Sequence, residues 1–237
     1  MNSKMTLLAS AAVAVMSLAN VGTAVAGPWY VNVAAGANWV DDSRYSGEEA
    51  TSTTFFFETD PSIGFVISGA VGYDLGQMLK GLRVEGELAY RENNVHGRWS
   101  SAVTGTTTTT TPTTNAITDG GALDIQHTTF SIMANAWYDF QVMGLNPYVG
   151  GGIGWADVSL DGKFDSKHAI SASESGFAWQ LGAGLNFDIE PGMKLGIGYR
   201  YLQGPDVTLH APGDLNPETG DIDDQNHSLT VGLTVGL

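Results

Sequence analysis

Leu82-Arg83-Val84-Glu85-Gly86-Glu87-Leu88-Ala89-Tyr90-Arg91 decides how this chain is read. Taken by every second residue, it splits into two sets. One is Leu82, Val84, Gly86, Leu88 and Tyr90; the other is Arg83, Glu85, Glu87, Ala89 and Arg91. A β-strand sends alternate side chains to opposite faces, so one face is apolar and the other charged. In a soluble protein the apolar face is the core. In a membrane the apolar face meets lipid, and charges of both signs fill a narrow barrel.

The chain's bounds narrow this choice. It has 237 residues, no cysteine and a formal charge of −15. Without cysteine there are no disulfides, thiolate metal sites or cysteine nucleophiles. The acidic balance argues against a nucleic-acid partner, which needs a basic patch. Residues 1–26 read as a secretory signal peptide. Lys4 supplies the positive start, Thr6 to Ala19 an apolar run too short to span a bilayer, and Ala24-Val25-Ala26 a cleavage site before Gly27. Its removal takes away one lysine and no acid, moving the formal charge to −16. Residues 27–237 are then either soluble outside the cytoplasm or a membrane barrel.

The same alternation recurs seven more times. Strands are expected at 29–39, 63–75, 82–91, 130–140, 147–157, 177–187, 193–201 and 228–237. The connections between them run long, short, long, short, long, short, long. Long segments at 40–62, 92–124, 158–174 and 203–226 would share one end, as in outer-membrane barrels with short periplasmic turns and long extracellular loops. Aromatic residues mark two levels on the apolar face: Trp29 and Trp39, Phe65 and Tyr73, Phe130 and Tyr138, Phe177 and Phe187. Ten residues at roughly 3.3 Å each, tilted about 40°, rise about 25 Å, the height of a barrel's lipid-facing band. Glycines such as Gly150, Gly152, Gly182, Gly184 and Gly198 fall on the opposite face, where they leave room for large side chains crossing a narrow lumen.

Met133-Ala134-Asn135-Ala136-Trp137-Tyr138-Asp139-Phe140, Pro147-Tyr148-Val149-Gly150-Gly151-Gly152-Ile153-Gly154 and Gly198-Tyr199-Arg200-Tyr201 resemble signature strands of the outer-membrane β-barrel family, which includes OmpX, opacity-type proteins, the transmembrane part of OmpA and bacterial surface antigens. The resemblance covers residues 27–237. It implies an all-β fold: an eight-stranded antiparallel up-and-down transmembrane β-barrel in a Gram-negative outer membrane. It also implies contact with outer-membrane lipid and lipopolysaccharide, and with the assembly machinery through the C-terminal strand. Such chains usually end in Phe or Trp; this one ends in Leu237.

The interior face gathers Arg83, Glu85, Glu87, Arg91, Asp139, Lys194 and Arg200. A buried unpaired carboxylate costs several kcal/mol, so Glu85 or Glu87 is expected to meet Lys194 or Arg200 across the lumen. These charges read first as a structural plug and second as a gate. The five histidines fall in or beside loops without metal-ligand spacing, and neither H-E-x-x-H nor G-x-S-x-G occurs. No catalytic residue, cofactor or metal is expected. Asp214 to Asp221 misplaces the glycine that a calcium loop needs. Phe55-Phe56-Phe57 reads as an extension of the first hairpin above the membrane or as an exposed contact for host or cell-surface ligands. The expected role is non-enzymatic: envelope integrity and surface contact, adhesin- or antigen-like, through four extracellular loops. The alternative is a narrow, weakly cation-preferring porin-like channel. A lipid-modifying enzyme and a secreted lipocalin-like binder rank below both.

Overall fold

The computed structural model describes residues 27–41, 44–48, 53–76, 78–103, 116–142, 145–164, 168–209, 220–222 and 224–237. The expected signal peptide lies outside these residues, as do the threonine run and most of the 214–221 segment. Twelve strands are present among the described residues: β1 Trp29–Val40, β2 Arg44–Glu48, β3 Thr53–Pro61, β4 Gly64–Asp74, β5 Leu82–Val103, β6 Ala116–Asp139, β7 Asn146–Phe164, β8 His168–Glu190, β9 Met193–Gln203, β10 Val207–Leu209, β11 Gly220–Ile222 and β12 Gln225–Gly236.

Eight of them close a ring of antiparallel neighbours: β1, β4, β5, β6, β7, β8, β9 and β12. Sequence neighbours pair around the ring, and the first and last strands pair along their length, from Tyr30 opposite Gly236 to Val40 opposite Asn226. One circuit of the register shows the stagger. From Trp29 it passes to Tyr73, Val84, Ala136, Gly151, Leu181, Tyr201 and His227, and returns to β1 at Trp39. The return lands ten residues above the start. Over eight strands, such a stagger corresponds to a tilt of about 40° from the barrel axis. Closure leaves no free edge within the ring, which a β-structure in lipid requires.

The turns at one end are short. Gly192, at φ 79°, follows Pro191 between β8 and β9, and Gly81, at φ 84°, leads into β5. Both occupy the left-handed region that favours glycine. At the other end the strands run further than the sequence pattern suggests. The expected loops 92–124 and 158–174 are largely strand: β5 continues to Val103, β6 begins at Ala116, β7 reaches Phe164 and β8 starts at His168. The expected 40–62 connection holds β2 and β3, and β3 pairs with the upper part of β5. Phe55, Phe56 and Phe57 lie in β3 opposite Ser101, Ser100 and Trp99; their side chains are outside the described residues. The expected 203–226 loop carries the small β10–β11 pair.

The reason lies in β7. Its outward residues change from Val149, Ile153 and Trp155 to Asp157, Ser159 and Asp161, while its inward residues change from glycine to Ala156, Val158 and Leu160. The alternation never breaks; its polarity reverses. Val158, Leu160 and Val207 are buried together, with Ile125 and Ala172 against them. Above the lipid band, the wall is therefore organised like a water-soluble sheet, apolar inside and polar outside. Burying each of these large aliphatic side chains contributes roughly 1.5–3 kcal/mol.

Candidate functional site

The lumen is filled in layers. Near the turn end, Arg83 is the hub. Its Nε donates to Asp139 Oδ2 at 2.9 Å, and its Nη1 donates to Glu85 Oε1 and, at 3.2 Å, to the Tyr30 hydroxyl. Glu85 also accepts from Tyr30 Oη at 2.8 Å and from Trp137 Nε1 at 2.7 Å. The guanidinium lies over the rings of Tyr148, Trp137 and Tyr30, 5.0, 5.8 and 5.9 Å from their centroids. One cation thus meets two carboxylates and three aromatic faces. Sharing the charge in this way lowers the cost of holding it out of bulk water.

The next layer crosses the barrel. Arg200 Nη1 on β9 donates to Glu87 Oε2 on β5. Gln180 Nε2 donates to Glu87 Oε1 at 3.2 Å and to Asn135 Oδ1 at 2.6 Å. The Arg200 guanidinium also stands 5.1 Å from the Trp137 ring centroid. Glu87, Gln180 and Trp137 are all buried to within 2 %.

The third layer is polar but less ionic. Arg91, 1 % exposed, donates from Nη1 to Ser131 Oγ at 3.0 Å. Asp224 stands at the foot of the last long connection. Its Oδ1 accepts from Asn226 Nδ2 at 2.6 Å and Thr129 Oγ1 at 3.3 Å, and lies 3.0 Å from His127 Nε2. Beside it, Asn38 bonds to both Asn93 and Ser228. Lys194 belongs to none of the three ion pairs of the lower layers, though it is within Coulombic reach of Asp139. Asp74 caps its own turn by accepting from Gly76 N at 2.7 Å, and Asp188 accepts from Asn146 Nδ2 at 2.9 Å.

Glycine makes this filling possible. A Cβ on Gly72 would lie 2.1 Å from Tyr30 Cζ, one on Gly184 2.6 Å from the Tyr148 ring, and one on Gly182 3.0 Å from Trp137 Cη2. Each large lumenal ring lies across a position that has no side chain.

The outward aromatics stand at two levels. Trp29, Tyr73, Tyr138 and Phe187 are at the turn end, where Trp29 and Tyr73 meet edge-on at 4.9 Å. Trp39, Phe65, Phe130 and Phe177 are at the long-strand end. Tyr90, Trp155, Tyr201 and His227 also stand at that upper level, beyond the aromatics that the sequence pattern marks. The register brings them there, with Trp39 opposite His227 and His227 opposite Tyr201, Tyr90 opposite Phe130, and Trp155 opposite Phe177, but cross-strand register is not visible in one sequence. Directly above this level the outward residues turn polar: Asp41, Glu92, Thr128, Asp157, Ser175, Gln203 and Gln225. Tyr and Trp at such a boundary place their apolar bodies in the acyl region and their polar tips among headgroups.

Three of the histidines expected in or beside loops have described side chains on strands, each close to a carboxylate: His96 with Asp124 at 2.7 Å, His127 with Asp224, and His227 with Asp41 at 3.1 Å. His168 opens β8, and His210 is outside the described residues. Among the described residues, no three His, Asp or Glu side chains gather with the geometry to hold a metal ion. No helix among them is long and apolar enough to cross a membrane.

Comparison with known proteins agrees with this architecture. The sequence profile of the outer membrane protein beta-barrel domain matches residues 5–235. An outer membrane protein of Gluconacetobacter diazotrophicus is 28 % identical over 214 residues, 83 % of this chain and 51 % of that protein. Outer membrane protein PagN of Salmonella typhimurium is 30 % identical over 91 residues, 35 % of this chain and 38 % of PagN. The chain thus spans about half or less of these relatives' own length. In fold, it is similar to neisserial surface protein A, with a TM-score of 0.52 at 16 % identity, covering 90 % of this chain and all of the other. OprG of Pseudomonas aeruginosa gives a TM-score of 0.50 at 13 % identity, covering 90 % and 98 %.

Proposed function

Because this chain belongs to the outer membrane protein β-barrel domain family and resides in the bacterial outer membrane, we propose that it is a non-conducting surface protein whose role is carried above the membrane. On this reading the barrel is an anchor. Its outer sheet, built on the extended β5–β6 and β7–β8 pairs, is the contact surface that supports envelope integrity and attachment. The role is non-enzymatic.

The observation that carries the reading is the contrast between the two halves. Inside, Arg83, Glu85 and Trp137, then Arg200, Glu87 and Gln180, occupy successive lumenal cross-sections in hydrogen-bonded contact. A conducting path needs a site that binds weakly and releases, whereas these groups are partnered to each other. Outside, strand pairing and the Val158–Leu160–Val207 cluster hold a large structure clear of the membrane. An anchored protein has no need of so much ordered material beyond lipid unless that material meets something.

The test joins two measurements on the refolded chain and on a variant shortened within 104–115 and 210–219. Val207 and Asp224 are kept, because both are buried. The expected results are a silent planar bilayer for both proteins, retained heat-dependent gel mobility, and loss of attachment to host-cell monolayers when the shortened form is displayed on bacteria. Discrete conductance steps, or attachment that survives shortening, would overturn the proposal.

A further inference from the structure

One part of the upper aromatic level differs in chemistry from the rest. Across four adjacent strands, β8, β9, β12 and β1, the rings are in continuous contact. Trp179 meets Tyr201 at 5.4 Å, Tyr201 meets His227 at 5.2 Å, and His227 stacks on Trp39 at 5.8 Å with an 8° interplanar angle. Tyr199 completes the patch, 6.0 Å from the His227 ring and 6.4 Å from Trp39. Elsewhere around the barrel the same level holds Phe65, Phe130 and Phe177 with Tyr90 and Trp155, and the Tyr90 hydroxyl is taken up by Glu92 at 2.6 Å.

The polar atoms of the patch are ordered among themselves. Tyr199 Oη lies 2.6 Å from His227 Nδ1, which fixes the imidazole. His227 Nε2 lies 3.1 Å from Asp41 Oδ1 without the alignment of a hydrogen bond. The Asp41 side chain, 56 % exposed, therefore keeps carboxylate lone pairs for an outside donor. The result is a contiguous aromatic surface with a carboxylate acceptor along its upper edge.

We propose that this patch binds the sugar headgroup of an outer-leaflet glycolipid. Height selects the occupant: the patch straddles the change from apolar to polar outward residues, so its neighbour is the headgroup layer. Chemistry selects the sugar. A pyranose offers an apolar C–H face to an aromatic plane, and its hydroxyls are donors suited to a carboxylate. A phosphate headgroup fits poorly, because Asp41 would repel it at short range and, among the described side chains, no lysine or arginine stands in the patch. The inference rests on the chain's place in the membrane and not on the surface-contact role, so either can fail alone.

The test is native mass spectrometry of the refolded full chain, offered a glycosyl diacylglycerol, lipid A or phosphatidylglycerol of matched acyl length. The two sugar lipids should be retained about tenfold better than phosphatidylglycerol, and Trp39→Leu or Tyr201→Leu should remove most of that preference. Asp41→Asn and Tyr199→Phe, which barely change shape and guard against misfolding, should weaken sugar-lipid retention severalfold; Tyr199→Phe should leave phosphatidylglycerol unchanged, and Asp41→Asn, which removes the repelling charge, should not lower it. Phe130→Leu, on the opposite half, should change nothing. Equal retention of all three lipids, retention of lipid A without the neutral glycolipid, an unaffected Asp41→Asn/Tyr199→Phe double variant, or an equal loss in Phe130→Leu would each overturn the proposal.

Discussion

Removing Glu87 should destabilise the barrel far more than removing Glu87 and Arg200 together. Glu87 is 2 % exposed and accepts from Arg200 Nη1 and, at 3.2 Å, from Gln180 Nε2. In Glu87→Ala the Arg200 guanidinium stays inside with no carboxylate within reach in its own layer. Its contact with the Trp137 ring compensates only in part. Breaking one side of a buried pair costs about 3–5 kcal/mol, because the remaining charge is left uncompensated. At about 2–4 °C per kcal/mol for a chain of this size, the midpoint should fall by about 6–20 °C. The assay is the heat-dependent gel shift in detergent, repeated by urea unfolding followed by fluorescence. Arg200→Ala should behave similarly, since it leaves Glu87 stranded instead. The Glu87→Ala/Arg200→Ala double variant removes both charges and should recover much of the loss, giving a coupling of about 2 kcal/mol or more in the cycle. A single variant whose midpoint moves less than about 2 °C, or a double variant whose loss equals the sum of the singles, would refute the reasoning.

Other expectations follow from the same structure. Val207→Asp places a carboxylate among Val158 and Leu160, costing roughly 3 kcal/mol or more locally. Protease added to intact cells should then cut between residues 204 and 224 while the membrane-embedded barrel keeps its gel mobility; resistance equal to wild type would contradict the outer apolar cluster. Gly72→Ala puts a methyl into the Tyr30 ring and should destabilise by about 1–3 kcal/mol, with Tyr30→Ala restoring refolding yield in the double variant. If the yield is not restored, the close approach is not the cause. Trp29 and Trp155, both more than half exposed on the outward face, should be quenched by brominated lipid in single-tryptophan variants, whereas lumenal Trp137 should not. Quenching of Trp137 would mean that the two faces are assigned the wrong way round.

The barrel itself is legible because alternation is a local property. Leu82 to Arg91 reveals its two faces without any knowledge of its neighbours, and so do the other seven strands. That Glu87 meets Arg200 could be narrowed to a few partners, since charges on interior faces have few places to go. The upper structure was hidden for a physical reason. Outward Asp157, Ser159 and Asp161 make 158–174 look like a polar loop, yet Val158 and Leu160 continue the same two-residue period facing inward. A reader who expects lipid outside everywhere stops at Trp155, where the solvent changes. His127 beside Asp224, and the Trp39–His227–Tyr201 row, depend on register between strands distant in sequence. Register is set by the stagger of the whole ring, which no single segment encodes.

The seam between β1 and β12 makes the ladder a cycle without a privileged starting strand. Gly27 N donates to Leu237 O at 2.9 Å and Leu237 N to Trp29 O at 2.8 Å, so the two ends of the barrel sequence already touch. A short linker could join them, and the chain could be reopened at Pro191-Gly192 as a circular permutant with every cross-strand pair intact. The new ends would emerge on the same side of the membrane as the old. Opening the cycle within 104–115 instead would put both ends on the far side, with the same final contacts but a different route to them. Comparing the two permutants would separate what the finished barrel requires from what delivery into the membrane requires.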